Sequence, residues 1–525
     1  MRWRAFTVLS VIVGLVLVLT SSATARAPQP PDTPPAAINQ SGELVSLSGW
    51  FTVIWGDPEP ESNTTVDTIY MLFDDRGQAT RLLLTEELIQ PLGGVLALNG
   101  RRLTVVGIWA DATAEVAQIP ALLVQSIQVD FEAVSALISA PVSGSQPWVT
   151  ILCKFADVAA EPQPLSYFQG LMGSAYPGMD HYWRELSYNV IKLVGSVERG
   201  WYTLPQPKSY YVYGSPAELD LARATEDCTA CADADVYFPS YVGINLVFND
   251  ALGYYVGWGC ASYYLVRDGE GKYYRMTWLS PPGQDGIAHE MGHGFGLPHS
   301  GPWYDNQWDV MSDSWGSCRR NNPDPTYGCV GQHTISYHKD MLGWVPVGRK
   351  YTVALGSQAT IALEQLALPQ TNNYLMVQIP IAGSGSHFYS VEARRLVGYD
   401  NCLPGDAVII HDVNTSRSDW GPAYVVDADW NGNTGDAGAM WTVDETFTDA
   451  ENGISVSVVS ATSTGFVVYV NNNYVPTPGE RADVDADGKR DLVLWRPSNG
   501  TWYALKSSAG YAYGSSFTRS WGKSG

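Results

Sequence analysis

Ala288-His289-Glu290-Met291-Gly292-His293-Gly294-Phe295-Gly296-Leu297-Pro298-His299-Ser300 is the stretch whose reading decides this chain. On a helix, His289 and His293 stand at i and i+4, one turn apart on one face, so their imidazoles converge on one metal ion. Glu290 follows the first of them directly. Gly296 accepts positive φ, which stops the helix and turns the chain so that His299 returns as a third ligand. Three neutral nitrogens and one open position is the coordination of a catalytic Zn2+. The chain holds only 8 histidines. The whole spaced pattern therefore arises by chance on the order of 10⁻⁵ of the time.

Working outward, Met311 in Asp309-Val310-Met311-Ser312-Asp313 lies a short way downstream. Together with the histidine pattern H-E-x-x-H-x-x-G-x-x-H, this resembles the metzincin metallopeptidases, which carry a methionine on a tight turn beneath the zinc. Within them the chain is most similar to the gametolysin-like and immune-inhibitor-A-like secreted peptidases. Phe155-Ala-Asp, Gly200-Trp-Tyr-Thr-Leu-Pro, His299-Ser300 and Tyr337-His-Lys-Asp-Met-Leu-Gly-Trp344 add to that likeness, which covers roughly residues 149–473. It departs from matrixins in lacking a cysteine-switch motif. It departs from astacins and serralysins in having Asp313 where they carry a tyrosine.

The resemblance implies a zinc endopeptidase that hydrolyses peptide bonds through a zinc-activated water, with His289, His293 and His299 as ligands. Glu290 would be general base and then acid, and Met311 the structural methionine. A rival reading of another class is an exported adhesion or binding protein whose metzincin domain is inactive. It predicts damage to the zinc set, and all four key residues are present.

Composition sets the bounds. Lys plus Arg number 31 and Asp plus Glu 53, so the formal charge is −22, which excludes a nucleic-acid surface or a polybasic membrane anchor. Only 16% of the residues are charged, while Gly (51), Pro (32) and Tyr (30) abound, a mix that favours turn-rich β structure. Arg2 and Arg4 precede the apolar run 5–19 and the small residues Ala23-Thr24-Ala25, the order of a secretory signal peptide. Secretion with no later membrane span is the expectation, and protein or peptide substrates are the expected partners. The oligomeric state is open.

The expected fold is multidomain. A signal peptide (1–25) and a linker (26–42) precede a small N-terminal β-barrel or sandwich (43–142). An α+β catalytic domain (143–345), a β-sandwich (346–474) and a linker with one short β repeat (475–525) follow. The N-terminal β unit is a candidate pro-domain in which no inhibitory residue stands out.

Among the seven cysteines, Cys318 and Cys329 are spaced for a local bridge. Cys228 and Cys231 read as structural, with Cys260 or Cys402 as candidate partners, and Cys153 as buried or bridged. His333 and His338, read as structural or surface residues, flank an expected helix with Thr334 as N-cap and Gly343 just past its end. His181, His387 and His411 read as packing or surface residues. Near the C-terminus, Asp483, Asp485, Asp487 and Asp491 form D-x-D-x-D-G-x-x-D, a spacing that suits a Ca2+ loop, although Leu494 stands where an EF-hand needs Glu. With the strand pattern after it, this resembles one FG-GAP or VCBS-type repeat, and one such blade cannot close a propeller.

Overall fold

The computed structural model describes residues 42–58, 67–110, 119–134, 141–301, 304–417, 421–473, 484, 491–496, 501–511 and 517–520. The expected signal peptide, both linkers and three of the four candidate calcium ligands (Asp483, Asp485 and Asp487) lie outside them.

The chain is mostly β, as its composition suggests, and its longest sheet joins two segments that sequence reading kept apart. β1 (Val45–Pro58), β2 (Asp67–Phe73), β3 (Ala79–Leu83), β4 (Arg101–Trp109) and β5 (Ala121–Val134) close on themselves: β1 pairs with both β2 and β4, and β5 with both β3 and β4. Alternating inward residues, Phe51, Val53, Leu103, Val105, Leu122 and Val124, fill that small barrel.

A mostly parallel sheet follows, formed by β6 (Trp148–Lys154), β7 (Val197–Thr203), β8 (Gly243–Phe248), β9 (Tyr255–Arg267) and β10 (Glu270–Leu279). Its order is β9-β10-β8-β6-β7, with β9 the one antiparallel member. The runs Trp148-Val-Thr-Ile-Leu-Cys153 and Gly243-Ile-Asn-Leu-Val-Phe248 are buried on both faces, as parallel strands between covering layers must be. One layer includes helix α1 (Leu221–Ala232), N-capped by Asp220 and bridged through Cys228 to Cys153 of β6. The other includes α2 (Gln284–Phe295), the helix of the histidine pattern.

β9 would be the edge of this sheet, but β1 pairs along it antiparallel, Ile54 opposite Cys260 and Asp57 opposite Gly257. The barrel and the parallel sheet thus become one ten-stranded sheet through a single fourteen-residue strand.

α3 (Ser336–Met341) leads into a two-sheet sandwich. One sheet holds β11 (Lys350–Thr352), β13 (Met376–Pro380), β14 (His387–Arg394), β15 (Ala407–Asn414) and β16 (Ala423–Val425). The other holds β12 (Ser357–Glu364), β17 (Thr446–Asp449), β18 (Ile454–Thr462) and β19 (Gly465–Asn472). Ile361, Val377, Val391, Ile410, Val456 and Val468 make their shared core. The strands 492–496, 501–505 and 517–520 form a separate three-stranded sheet.

Three local expectations are corrected. Cys228 bonds Cys153, not Cys260 or Cys402, because β6 lies directly beneath α1; Cys231, Cys260 and Cys402 are unbridged. The Cys318–Cys329 bridge is present. Thr334 does not cap α3, whose N-cap position is Ile335; the Thr334 hydroxyl instead lies 3.0 Å from His338 Nδ1. Among the described residues no helix is long and apolar enough to cross a membrane.

Candidate metal centre

Helix α2 is laid against the edge of the sheet by two glycines of β9. A Cβ at Gly257 would meet Glu290 Oε1 at 2.3 Å, and one at Gly259 would meet His293 Cβ at 2.6 Å. Only hydrogen at these positions lets the helix come so close. Gly296, at φ 101°, ends the helix, and the Leu297 N–H returns to the Gly292 carbonyl at 3.0 Å. The chain then doubles back and brings His299 beside the first two histidines.

The three rings converge. His293 Nε2 lies 3.2 Å from His289 Nε2 and 3.1 Å from His299 Nε2. The other ring nitrogens of the helical pair face carbonyls: His289 Nδ1 is 2.7 Å from the Val310 oxygen and His293 Nδ1 is 2.7 Å from the Leu297 oxygen. Each Nδ1–H therefore donates outward and each Nε2 lone pair points inward. Burial, with His299 nearby, lowers His293 to about 3, so this imidazole is neutral at ordinary pH. Separations of 3.1–3.2 Å are close to the edge of a tetrahedron with corners about 2 Å from its centre, the size of a zinc site. The donor set fits that ion, and the buried, unpartnered Asp57 Oδ2 and Glu290 Oε2 beside it are the polar atoms a cation would satisfy.

The fourth member comes from 242 residues upstream of His299. Asp57, at the end of β1, holds Oδ1 2.7 Å from His299 Nε2 and 3.1 Å from His289 Nε2, and Oδ2 3.4 Å from His293 Nε2. The four residues are buried and form one group of metal-ligand geometry. Burial alone would raise Asp57, but the His289 and His299 imidazoles outweigh it and hold the carboxyl well below the usual range. Trp55, two residues earlier on the same face of β1, closes the site from above: its ring stacks on His293 at 5.8 Å and meets His299 edge-on at 5.6 Å.

Glu290 is buried beside this group, and burial with the Asp57 charge raises it well above the usual carboxylate range. Met311 lies under the helix, its sulfur 2.2 Å from where a Gly292 Cβ would stand. Asp309 shapes the methionine turn, accepting the Met311 N–H at 3.0 Å. Its Oδ2 takes the Ser300 hydroxyl at 2.6 Å and lies 2.9 Å from His338 Nδ1. His338 is therefore a fully buried, structural anchor of the turn. His333 is buried as well, between Glu185 Oε1 at 3.1 Å and Lys339 Nζ at 2.9 Å.

Sequence reasoning missed Asp57 and Tyr304. The Tyr304 hydroxyl donates to Asp57 Oδ1 at 2.6 Å. A tyrosine thus reaches the site from between His299 and Met311, while Asp313 is engaged elsewhere, 2.6 Å from Arg319 Nη2. One signal was available: Val53, Trp55 and Asp57 share a strand face, and a carboxylate ending an apolar face is unusual.

Of the candidate calcium ligands only Asp491 is described, and its oxygens accept N–H groups from Val484 and Ser507, both at 2.7 Å. His181, His387 and His411 have local roles. His181 lies 3.0 Å from the Tyr399 hydroxyl and His387 2.7 Å from Asp412, while His411 is buried near Asn306.

No protein-family model matches this chain, and no curated protein matches it. Fold and site together define a β-rich chain with a buried group of three histidines and one aspartate that could hold a metal ion.

Proposed function

We propose that this chain is a secreted zinc endopeptidase of metzincin type, with Asp57 holding it latent until the N-terminal strand is displaced. The observation that carries this reading is the meeting of three Nε2 atoms and a neighbouring glutamate at the end of a sheet edge already filled by a strand of the same chain.

His289, His293 and His299 would hold the ion, which when bound supplies Lewis-acid polarisation of a carbonyl and acidifies water. With the Asp57 charge withdrawn and a cation held beside it, Glu290 would be ionised, take a proton from the attacking water and later give it to the departing amine. The Val310 and Leu297 carbonyls keep the helical imidazoles in the ligating tautomer. Tyr304, once Asp57 has left, keeps its hydroxyl directed at the position where a substrate oxygen gains charge. Asp57 would take the position that the three histidines leave open, and Trp55 covers the rings, so substrate would not reach the ion while β1 is in place. The two disulfides suit an oxidising, extracellular compartment.

The test measures metal content and casein cleavage together, on the full chain before and after limited proteolysis, with and without a zinc chelator. About one zinc per chain, little cleavage before nicking and chelator-sensitive cleavage after it are expected. Glu290→Gln should keep its zinc and lose turnover. Full activity in that variant, or no bound metal in the wild type, overturns the reading.

A further inference from the structure

Beside Glu290 and His289 opens a cavity of about 200 Å³, lined by Val256, Leu279, Pro282 and Trp315, with the Asp285 carboxylate among these apolar walls. Asp57 and Pro58 also line it, so the strand that fills the edge of β9 already delivers the residue after Asp57 to this cavity.

Asp285 stands in the first turn of α2, one turn before His289. The neighbouring backbone N–H groups of Asp285 and Gly286 favour its charged form but supply no counter-ion. The nearby Asp313 is paired with Arg319. Among the described residues Asp285 has no cationic side chain in ion-pair contact, although it is only partly exposed and shares its cavity with apolar side chains. A carboxylate so placed is stabilised by a cation that arrives with a ligand.

We propose that Asp285 is a specificity residue: a polypeptide adds to β9 as β1 does, and the side chain just beyond the cleaved bond enters this cavity as lysine or arginine. The long apolar stem lies along Leu279, Pro282 and Trp315, and the charged end meets Asp285. A large aliphatic side chain fills the same walls but leaves the carboxylate without a partner. The inference rests on the peptidase reading above and names its substrate class.

The experiment uses the full chain carrying Asp57→Ala, loaded with zinc and nicked by limited proteolysis. Its probe is a set of matched peptides with Lys, Arg, Leu or Glu after the cleaved bond, supplemented by casein cleavage sites mapped by mass spectrometry. Lys and Arg peptides should be cleaved about 30-fold or more better than the Glu peptide. Adding Asp285→Asn should remove the advantage of Lys over Leu while Leu peptides are still cleaved, and Asp285→Glu should restore part of it. Cleavage with no basic preference, or a preference that survives Asp285→Asn, overturns the proposal. If Asp285→Asn fails to give a cooperative melt, the site preference of the Asp285 protein decides. A zinc-loaded protein that cleaves no peptide at all overturns the peptidase reading itself, and this inference with it.

Discussion

Asp57 and His299 stand 242 residues apart in the chain and 2.7 Å apart in space, carboxylate oxygen against Nε2. That contact fixes the last residues of β1 against the edge of β9 and places a residue from the N-terminal barrel inside the histidine group. A charge-assisted contact of this kind is worth about 1.5–3 kcal/mol, enough to keep a site mostly closed.

Asp57→Ala in the intact, zinc-loaded chain should raise casein cleavage about ten- to hundredfold by removing the carboxylate that holds the end of β1 in the site. Rates measured before any nicking, beside the wild type on the same substrate, check this. An unchanged rate would mean that β1 blocks the cleft without help from its carboxylate.

Metal removal should destabilise the whole central sheet, because the ion would join α2 to both His299 and β1. With free zinc a thousandfold above its Kd the bound form gains about 4 kcal/mol. Calorimetry should therefore give a lower Tm after chelation, restored by zinc. His293→Ala should begin at the lower Tm and not respond to added zinc.

Burial pushes Asp285 up to about 6 from an ordinary value of 3.8, with His289 and Asp313 the titratable groups facing it. An acid raised on folding contributes stability that is fully present below pH 3.8 and lost as pH rises through about 6. Asp285→Asn should accordingly melt higher than the wild type at pH 7.5, and the gap should close towards pH 4. The preference for basic peptides has the opposite dependence: strong at pH 7.5, weak at pH 5, where the carboxyl takes a proton.

Gly257→Ala places a methyl group 2.3 Å from Glu290 Oε1, on the strand that pairs with Asp57. A shift of about 1 Å in a catalytic group costs on the order of a hundredfold in rate. The nicked Gly257→Ala protein should bind one zinc and show that loss in kcat, with KM little changed.

Arg394 joins the sandwich to the segment behind the site. It is fully buried, meets Asp400 through two nitrogens at 2.9 and 2.7 Å and Glu392 at 2.9 Å, and donates to the Trp308 carbonyl at 2.6 Å. Arg394→Met leaves two carboxylates buried without a cation and should cost about 3–5 kcal/mol in urea unfolding. A loss under 1 kcal/mol would show that the cluster relaxes or takes in water.

The sequence by itself determined the local chemistry. One turn of helix brings His289 and His293 to one side with Glu290 next to the first, and Gly296 returns His299 to them, because helix periodicity and a single positive φ act over eleven residues. The short local bridge Cys318–Cys329 and the β-rich character are legible for the same reason: both depend on near neighbours or on composition. What only the tertiary structure decided are the meetings between distant segments. Asp57 reaches the histidines because β9 has a free edge and β1 is long enough to leave its barrel and fill it. Cys153 finds Cys228 because a strand happens to lie under a helix. His338 and Asp309 meet at the junction of two layers. Such pairs carry no spacing rule along the chain, since a strand edge accepts any extended backbone and the partner is chosen by packing over the whole molecule.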